Sequence, residues 1–290
     1  METGQPRDLH SGAGAALTRR TFVATAAAGI FAACSRAPGV TFGVQSYSFR
    51  DRPLDAAIAG MQKLGLKSCE LWQSHIEPRN IPRDEMRRWR ETIELDMFHR
   101  VRERFAKASI ALSAYNISFN DSFSDTEIER GFEMAKALGA PVITSSSNVQ
   151  TVARIAPVAA RHQMLVGMHN HSRIDPNEFA TAQSLSDALG HGPFIAINLD
   201  IGHFTAANED AVAFLGQHHD RIVTIHLKDR KRNQGENVPF GAGDTPIVAV
   251  VKLLNDNGWP IPANIEYEYK GGDSVDEVGK CLDYCQKALA

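Results

Sequence analysis

Cysteine is scarce in this chain: four stand among 290 residues, and none has the spacing of a zinc ribbon. Cys281 and Cys285 lie four apart on what reads as one amphipathic helix. That is poor geometry for a bridge, so both are expected as small core-facing hydrophobes. No long basic or acidic run is present, and the formal net charge is -3, which removes the electrostatic reason to expect a nucleic-acid or membrane-surface partner. No Gly-rich dinucleotide loop follows the first candidate strand, and no Pro- or Ser-rich linker divides the chain. With 43% apolar and 22% charged residues, the composition is that of one ordinary globular domain with a sizeable core. These exclusions leave a small-molecule site as the expectation.

Long apolar runs are also missing, and the short one that exists stands near the start. Thr18-Arg19-Arg20-Thr21-Phe22 precedes an uncharged run from Val23 to Ala33 and then Cys34-Ser35. Such a run is too short to span a bilayer comfortably and has no polar face. Paired arginines directly before it are the address of the twin-arginine export route. Residues 1-40 are therefore read as an export signal and 41-290 as the folded domain. Phe31-Ala32-Ala33-Cys34 resembles a lipoprotein cleavage box. Two outcomes stay open: a lipid anchor at Cys34, or cleavage after a nearby alanine, giving a membrane-anchored lipoprotein or a periplasmic protein.

From Thr41 onward, short β-rich runs alternate with stretches of helical period. The candidate strands are Thr41 to Tyr47, Ser68 to Trp72, Ala111 to Ile117, Pro141 to Ser145, Leu165 to His169, Ile195 to Asp200, Ile222 to Leu227 and Ala263 to Tyr267. Between them apolar residues recur at three and four, as in Leu54, Ala57, Ile58, Met61 and Leu64. Ser124 three before Glu127 and Ser274 three before Glu277 read as capping boxes, and Gly65 and Gly139 as helix stops. His75 to Phe105 is the irregular part, an insertion running into an Arg- and Glu-rich helix. Eight strand-then-helix units in about 250 residues predict an α/β fold, a single closed (β/α)8 barrel.

In such barrels reactive residues sit at the C-terminal ends of strands. Four late strands end in Met168-His169-Asn170-His171, Leu199-Asp200-Ile201-Gly202-His203, Ile225-His226-Leu227-Lys228-Asp229 and Ile265-Glu266-Tyr267-Glu268. Carboxylates and imidazoles together suit a divalent ion such as Mn, Co, Zn or Mg. Earlier, Glu70 and Trp72 stand at the end of strand two as candidate substrate-binding residues, and Trp72, like Tyr47, reads equally as an aromatic that stacks on a ligand or as a plug of the barrel mouth.

These motifs, together with Gly43-Val44-Gln45-Ser46-Tyr47-Ser48-Phe49-Arg50 and the Pro239 to Asp244 loop, resemble the xylose isomerase-like barrel superfamily of sugar epimerases and isomerases. The resemblance covers Thr41 to Ala290. It implies a metal held by Asp200, His226 and Glu266, with His169 standing where the epimerases carry a glutamate. It also implies that His203 holds substrate oxygens, with Lys228 and Arg232 able to do likewise. Relatives of this type often pair, so a homo-oligomer is one expectation.

An imidazole that ligates through one nitrogen cannot easily shuttle a proton with it. Glu266 is then the base, with His169, His171 and Glu178 as other acid/base candidates. A divalent ion bridging neighbouring oxygens of a keto-sugar would acidify the adjacent C–H, and one enediolate would serve isomerisation, epimerisation and elimination alike. The expectation is an isomerase or epimerase of an unphosphorylated sugar, since phosphorylated sugars are scarce outside the cytoplasm. The alternatives are a 3-keto-glycoside lyase or hydrolase working by β-elimination and a non-catalytic carbohydrate-binding barrel.

Overall fold

The computed structural model describes Met1 and residues 39–290, so the expected export signal and the Cys34 box lie outside the described residues. Eight parallel strands close into a barrel in sequence order: β1 (Phe42–Gln45), β2 (Ser68–Trp72), β3 (Ala111–Asn116), β4 (Val142–Ser145), β5 (Leu165–His169), β6 (Ile195–Asp200), β7 (Ile222–Leu227) and β8 (Ala263–Ile265). The ring of helices begins with α1 (Leu54–Lys63), which buries the predicted Leu54, Ala57, Ile58 and Met61 face. It continues through α2 (Arg83–Thr92), α3 (Asp96–Lys107), α4 (Asp125–Leu138), α5 (Val152–His162) and α6 (Ala182–Leu189). The short α7 (Ile201–Ala206), α8 (Ala211–His218), α9 (Ile247–Asn257) and α10 (Ser274–Lys287) complete it.

Local chemistry sets these boundaries. Ser124 caps α4 in a full capping box with Glu127, and Gly139 ends that helix at φ 70°, a left-handed turn that glycine adopts without strain. At α10 the cap differs from the expected one. Asp273 takes the N-cap position and its side chain accepts from the backbone N–H of Val275 and Asp276, which places Ser274 inside the first turn. Cys281 and Cys285 are buried free thiols on the core side of α10, and Cys69 is buried in β2.

The insertion after β2 is ordered by a buried ion cluster. Arg90 of α2 grips Glu77 with two hydrogen bonds, at 2.7 and 3.0 Å, and donates to Glu127 of α4 at 3.2 Å. Paired and bidentate, the charges tolerate burial that either alone would not. A shorter fastening lies at the strand ends. His75 contacts Ser46 Oγ at 2.9 Å and the Phe49 carbonyl at 3.3 Å, while Ser46 Oγ also accepts the Trp72 N–H at 2.8 Å. The carbonyl can only accept, so the tautomer with hydrogen on Nε2 fits this network.

Burial pushes the His75 imidazole down to about 4, whereas in the unfolded chain it would titrate near its ordinary value of about 6.5. The stability it contributes as a neutral ring is therefore complete above that ordinary value and is withdrawn as pH falls toward the folded one, because the unfolded chain takes up the proton first. His75→Gln should flatten the dependence of melting temperature on pH across this window relative to wild type. Parallel curves for the two proteins would show that His75 is not a source of the acid sensitivity.

Candidate metal centre

Side chains alternate along a strand, so every second residue of each barrel strand faces inward. Read this way, the apolar strands carry a polar interior. Gln45, Glu70, Thr144, Thr224 and Asn264 form one layer, joined by direct hydrogen bonds and buried throughout. Glu70 is its centre. Its Oε1 accepts from Gln45 at 2.9 Å and Thr144 at 2.6 Å, and its Oε2 accepts from Asn264 at 3.1 Å and faces His226 Nε2 at 2.8 Å. Gly43 permits this crowding, since a Cβ there would meet Asn264 Oδ1 at 2.3 Å.

One layer nearer the mouth, His169, Asp200, His226 and Glu266 each present a donor atom, all within 4.8 Å of one another and all buried. Asp200 and His226 are register partners across β6 and β7. Asn170 clamps the neighbouring strand end, donating to the Asp200 carbonyl at 3.0 Å and accepting the Asp200 N–H at 2.9 Å. Asp200 also caps α7: its Oδ1 accepts the His203 N–H at 2.7 Å, which leaves Oδ2 for the site. Glu266 follows β8 directly, its N–H donating to the Leu227 carbonyl at 2.9 Å, and its Oε2 lies 3.1 Å from His226 Nδ1.

The electrostatics divide the imidazoles. Burial, reinforced by His226 and His171, holds His169 well below the usual histidine range, hence neutral. His203 is held low by burial and then by Lys228. Burial would also lower His226, but Glu70 and Glu266 on its two nitrogens outweigh it and raise it well above the usual range. Burial would raise Glu266, yet Lys228 and His226 outweigh that and keep it well below the carboxylate range, so it is ionised.

A divalent ion fits this donor set. Two imidazoles and two carboxylates converge, and His169 Nδ1 is buried with no hydrogen-bond partner among the described residues, while Asp200 Oδ2 faces the Lys228 ammonium at 3.1 Å. A buried polar atom without a partner is costly, and coordination through the His169 ring would relieve it. Glu70 behind His226 supplies the carboxylate that commonly orients a ligating imidazole.

Residues 58–287 match the xylose isomerase-like TIM barrel family. The chain belongs to this family. L-ribulose-5-phosphate 3-epimerase UlaE of Escherichia coli is 29% identical over 119 residues, 39% of this chain and 42% of that protein, so the match spans less than half of the relative's own length. Among solved structures, the IolI protein with a bound zinc atom superposes at a TM-score of 0.67 with 14% identity, covering 86% of this chain and 98% of that one. The apo 3-keto-D-glucoside 4-epimerase YcjR of Escherichia coli gives 0.64 with 12% identity, covering 86% and 99%. At such identities these two likenesses show the fold alone.

Within this xylose isomerase-like barrel the other candidate residues fall into distinct places. Glu70 lies under the metal set rather than over it: it is fully buried and occupied by protein donors, so it is not free to hold substrate. It stands in the middle of β2, one layer below Trp72 at the strand end. Trp72 packs edge-on against Tyr47, with ring centroids 4.9 Å apart, and Arg79 lies over its ring. His171 is half-exposed, its ring 5.2 Å from that of His169 and its Nδ1 3.5 Å from Glu178. Lys228 is buried, 3.0 Å from His203 Nε2.

Arg232 is exposed, and its backbone N–H donates to Asp244. The arginine that reaches the site is Arg230, which donates to Ser172 Oγ at 2.8 Å and faces His203 Nδ1 at 2.7 Å. Sequence reasoning missed it; the signal available was its place four residues after His226, on the same strand-end loop as Arg232.

Removing charge from the supporting carboxylate tests the arrangement. Glu70→Gln should weaken divalent-ion affinity by about 10–100-fold, as loss of an outer partner of a ligating imidazole does, measured by titration against a competing chelator. Unchanged affinity in a folded variant would show that Glu70 does not orient His226 for an ion.

Proposed function

We propose that this protein is a divalent-metal-dependent sugar isomerase or epimerase, acting on an unphosphorylated sugar or keto-sugar outside the cytoplasm. The convergence of His169, Asp200, His226 and Glu266 at the mouth of the barrel carries the reading, and the epimerases among its relatives support it. The unphosphorylated substrate and the export rest on the paired arginines and apolar run of the N-terminus. A bound divalent ion would polarise neighbouring oxygens of the substrate and make the adjacent C–H more acidic.

Glu266, held ionised, is the group that removes this proton. Lys228 lies 2.9 Å from Glu266 Oε2 and is raised above the ordinary lysine range: burial would lower it, but Asp200, Glu266 and Glu268 outweigh that. A lysine that grips its proton so firmly suits stabilisation of a developing oxyanion rather than donation to it. His171, half-exposed beside Glu178, is the ring placed to return a proton. His203 and Arg230 line the adjoining side, where they can orient substrate oxygens, and Tyr47 and Trp72 offer an aromatic wall.

One observation favours a second reading. Epimerisation by two carboxylates needs one on each face of the reacting carbon, and the strand-five position holds a neutral imidazole. A single carboxylate base with an ammonium beside it suffices for β-elimination from a 3-keto-glycoside, in which the C–H electrons form the new double bond as the glycosidic oxygen leaves with the C–O pair.

Elemental analysis of purified protein beside Asp200→Ala and Glu266→Ala should find about one divalent ion per chain in wild type and little in either variant. Ketoses incubated with the enzyme in deuterium oxide should then gain deuterium, whereas release of aglycone from 3-keto-glycosides would select the lyase. A wild type that stays empty after reconstitution would overturn both enzymatic readings and leave a carbohydrate-binding barrel.

A further inference from the structure

We propose that Lys228 is a built-in competitor of the divalent ion, its ammonium drawing on two of the same carboxylate side chains, so that this lysine sets the affinity of the metal site. The inference rests on the metal-dependent reading above. Lys228 is 2% exposed, and its Nζ lies 3.1 Å from Asp200 Oδ2 and 2.9 Å from Glu266 Oε2. Both residues belong to the set of four whose donor atoms converge within 4.8 Å. A divalent ion engaging those carboxylates meets a full positive charge a few ångströms away, in an interior where water screens it weakly.

The surroundings give the ammonium somewhere to stay. Glu268 Oε2 is its nearest anionic contact at 2.6 Å, and Glu268 stands outside the metal set with its side chain 22% exposed. His203 Nε2 lies 3.0 Å away. The base of the lysine is held against the first turn of α7: a Cβ on Gly202 would meet the Lys228 carbonyl oxygen at 2.7 Å and its Cβ and Cγ at 2.9 Å. The stem is thus fixed while the tip is shared among three carboxylates. Two of these are the ion's and one is the lysine's own, so the division between them tunes how tightly the ion is held. Lys228 in this role is a positioning residue for the metal as well as a charge facing the substrate.

The test is a double-mutant cycle read as ion affinity rather than turnover. Zn and Mn would be titrated against a competing chelator into wild type, Lys228→Met, Glu268→Gln and the double variant, with melting curves to verify folding. Loss of the ammonium should tighten ion binding by about tenfold or more, the scale of one nearby charge in a poorly screened site. Glu268→Gln should weaken it about threefold in the Lys228 background and leave it unchanged beside Lys228→Met, because its influence passes through the lysine. Equal or weaker affinity in a folded Lys228→Met protein would overturn the inference and leave the metal reading intact. If Lys228→Met fails to fold, Glu268→Gln still decides: unaltered or tighter binding in that variant overturns it. A wild type that binds neither ion would remove the metal reading and this inference with it.

Discussion

A single fully buried carboxylate, Glu70, is the constraint on which the interior of this barrel depends. Burying one ionised carboxyl costs several kcal/mol unless donors replace the lost water. Here the donors come from different strands: Gln45 on β1, Thr144 on β4, His226 on β7 and Asn264 on β8. The same bonds that satisfy Glu70 therefore fix the lateral positions of strands remote in sequence. Because one partner is His226, they also fix the ring at the heart of the candidate site. Stability of the polar layer and geometry of the layer above it are one problem, solved by one residue.

The barrel was legible because its strands are short, apolar and separated by helical repeats. Four of the eight segments coincide with the observed strands at both ends, including β5, β6 and β7, which carry three of the four candidate metal ligands. Two of the four mismatched segments end where side chains take over from the ladder. The first segment was expected to reach Tyr47 but stops at Gln45, whose side-chain oxygen accepts the Tyr47 N–H and starts a tight helical turn. The last was expected to reach Tyr267 but stops at Ile265, since the Tyr267 N–H donates to Ser48 Oγ instead of a neighbouring strand. Neither interaction follows a pattern of hydrophobicity.

The site divides in the same manner. Residues at strand ends could be grouped from sequence, because the fold places strand ends together. What sequence does not show is depth and direction. Glu70 stands two residues short of its strand end, and two residues is one layer of the barrel, enough to turn a substrate candidate into a support. Arg230 and Arg232 differ by the path of a loop in which Arg230 bridges Asn237 and the chain reverses through Asn233 and Gln234 at φ 56° and 61°. That reversal sends the Arg230 guanidinium back to the Gly235 carbonyl, Ser172 and His203.

The charges around His169 and Lys228 are best understood together. A carboxylate at position 169 would add another negative charge beside Asp200 and Glu266, and a buried ammonium would be a natural answer to it. Here the imidazole is neutral, and Lys228 meets instead the additional carboxylate of Glu268, two residues beyond Glu266. The positive charge has in effect been balanced from the mouth of the barrel rather than from strand five. This matters for chemistry because a neutral ring engaged in ligation has no free basic site, whereas an ammonium beside Glu266 faces whatever oxygen bears the charge left when Glu266 takes a proton. On the proposed reading, Glu266 and Lys228 put base and electrostatic stabiliser on one side of the site, which suffices for isomerisation and elimination, whereas epimerisation needs a second proton donor, the role that reading gives to His171.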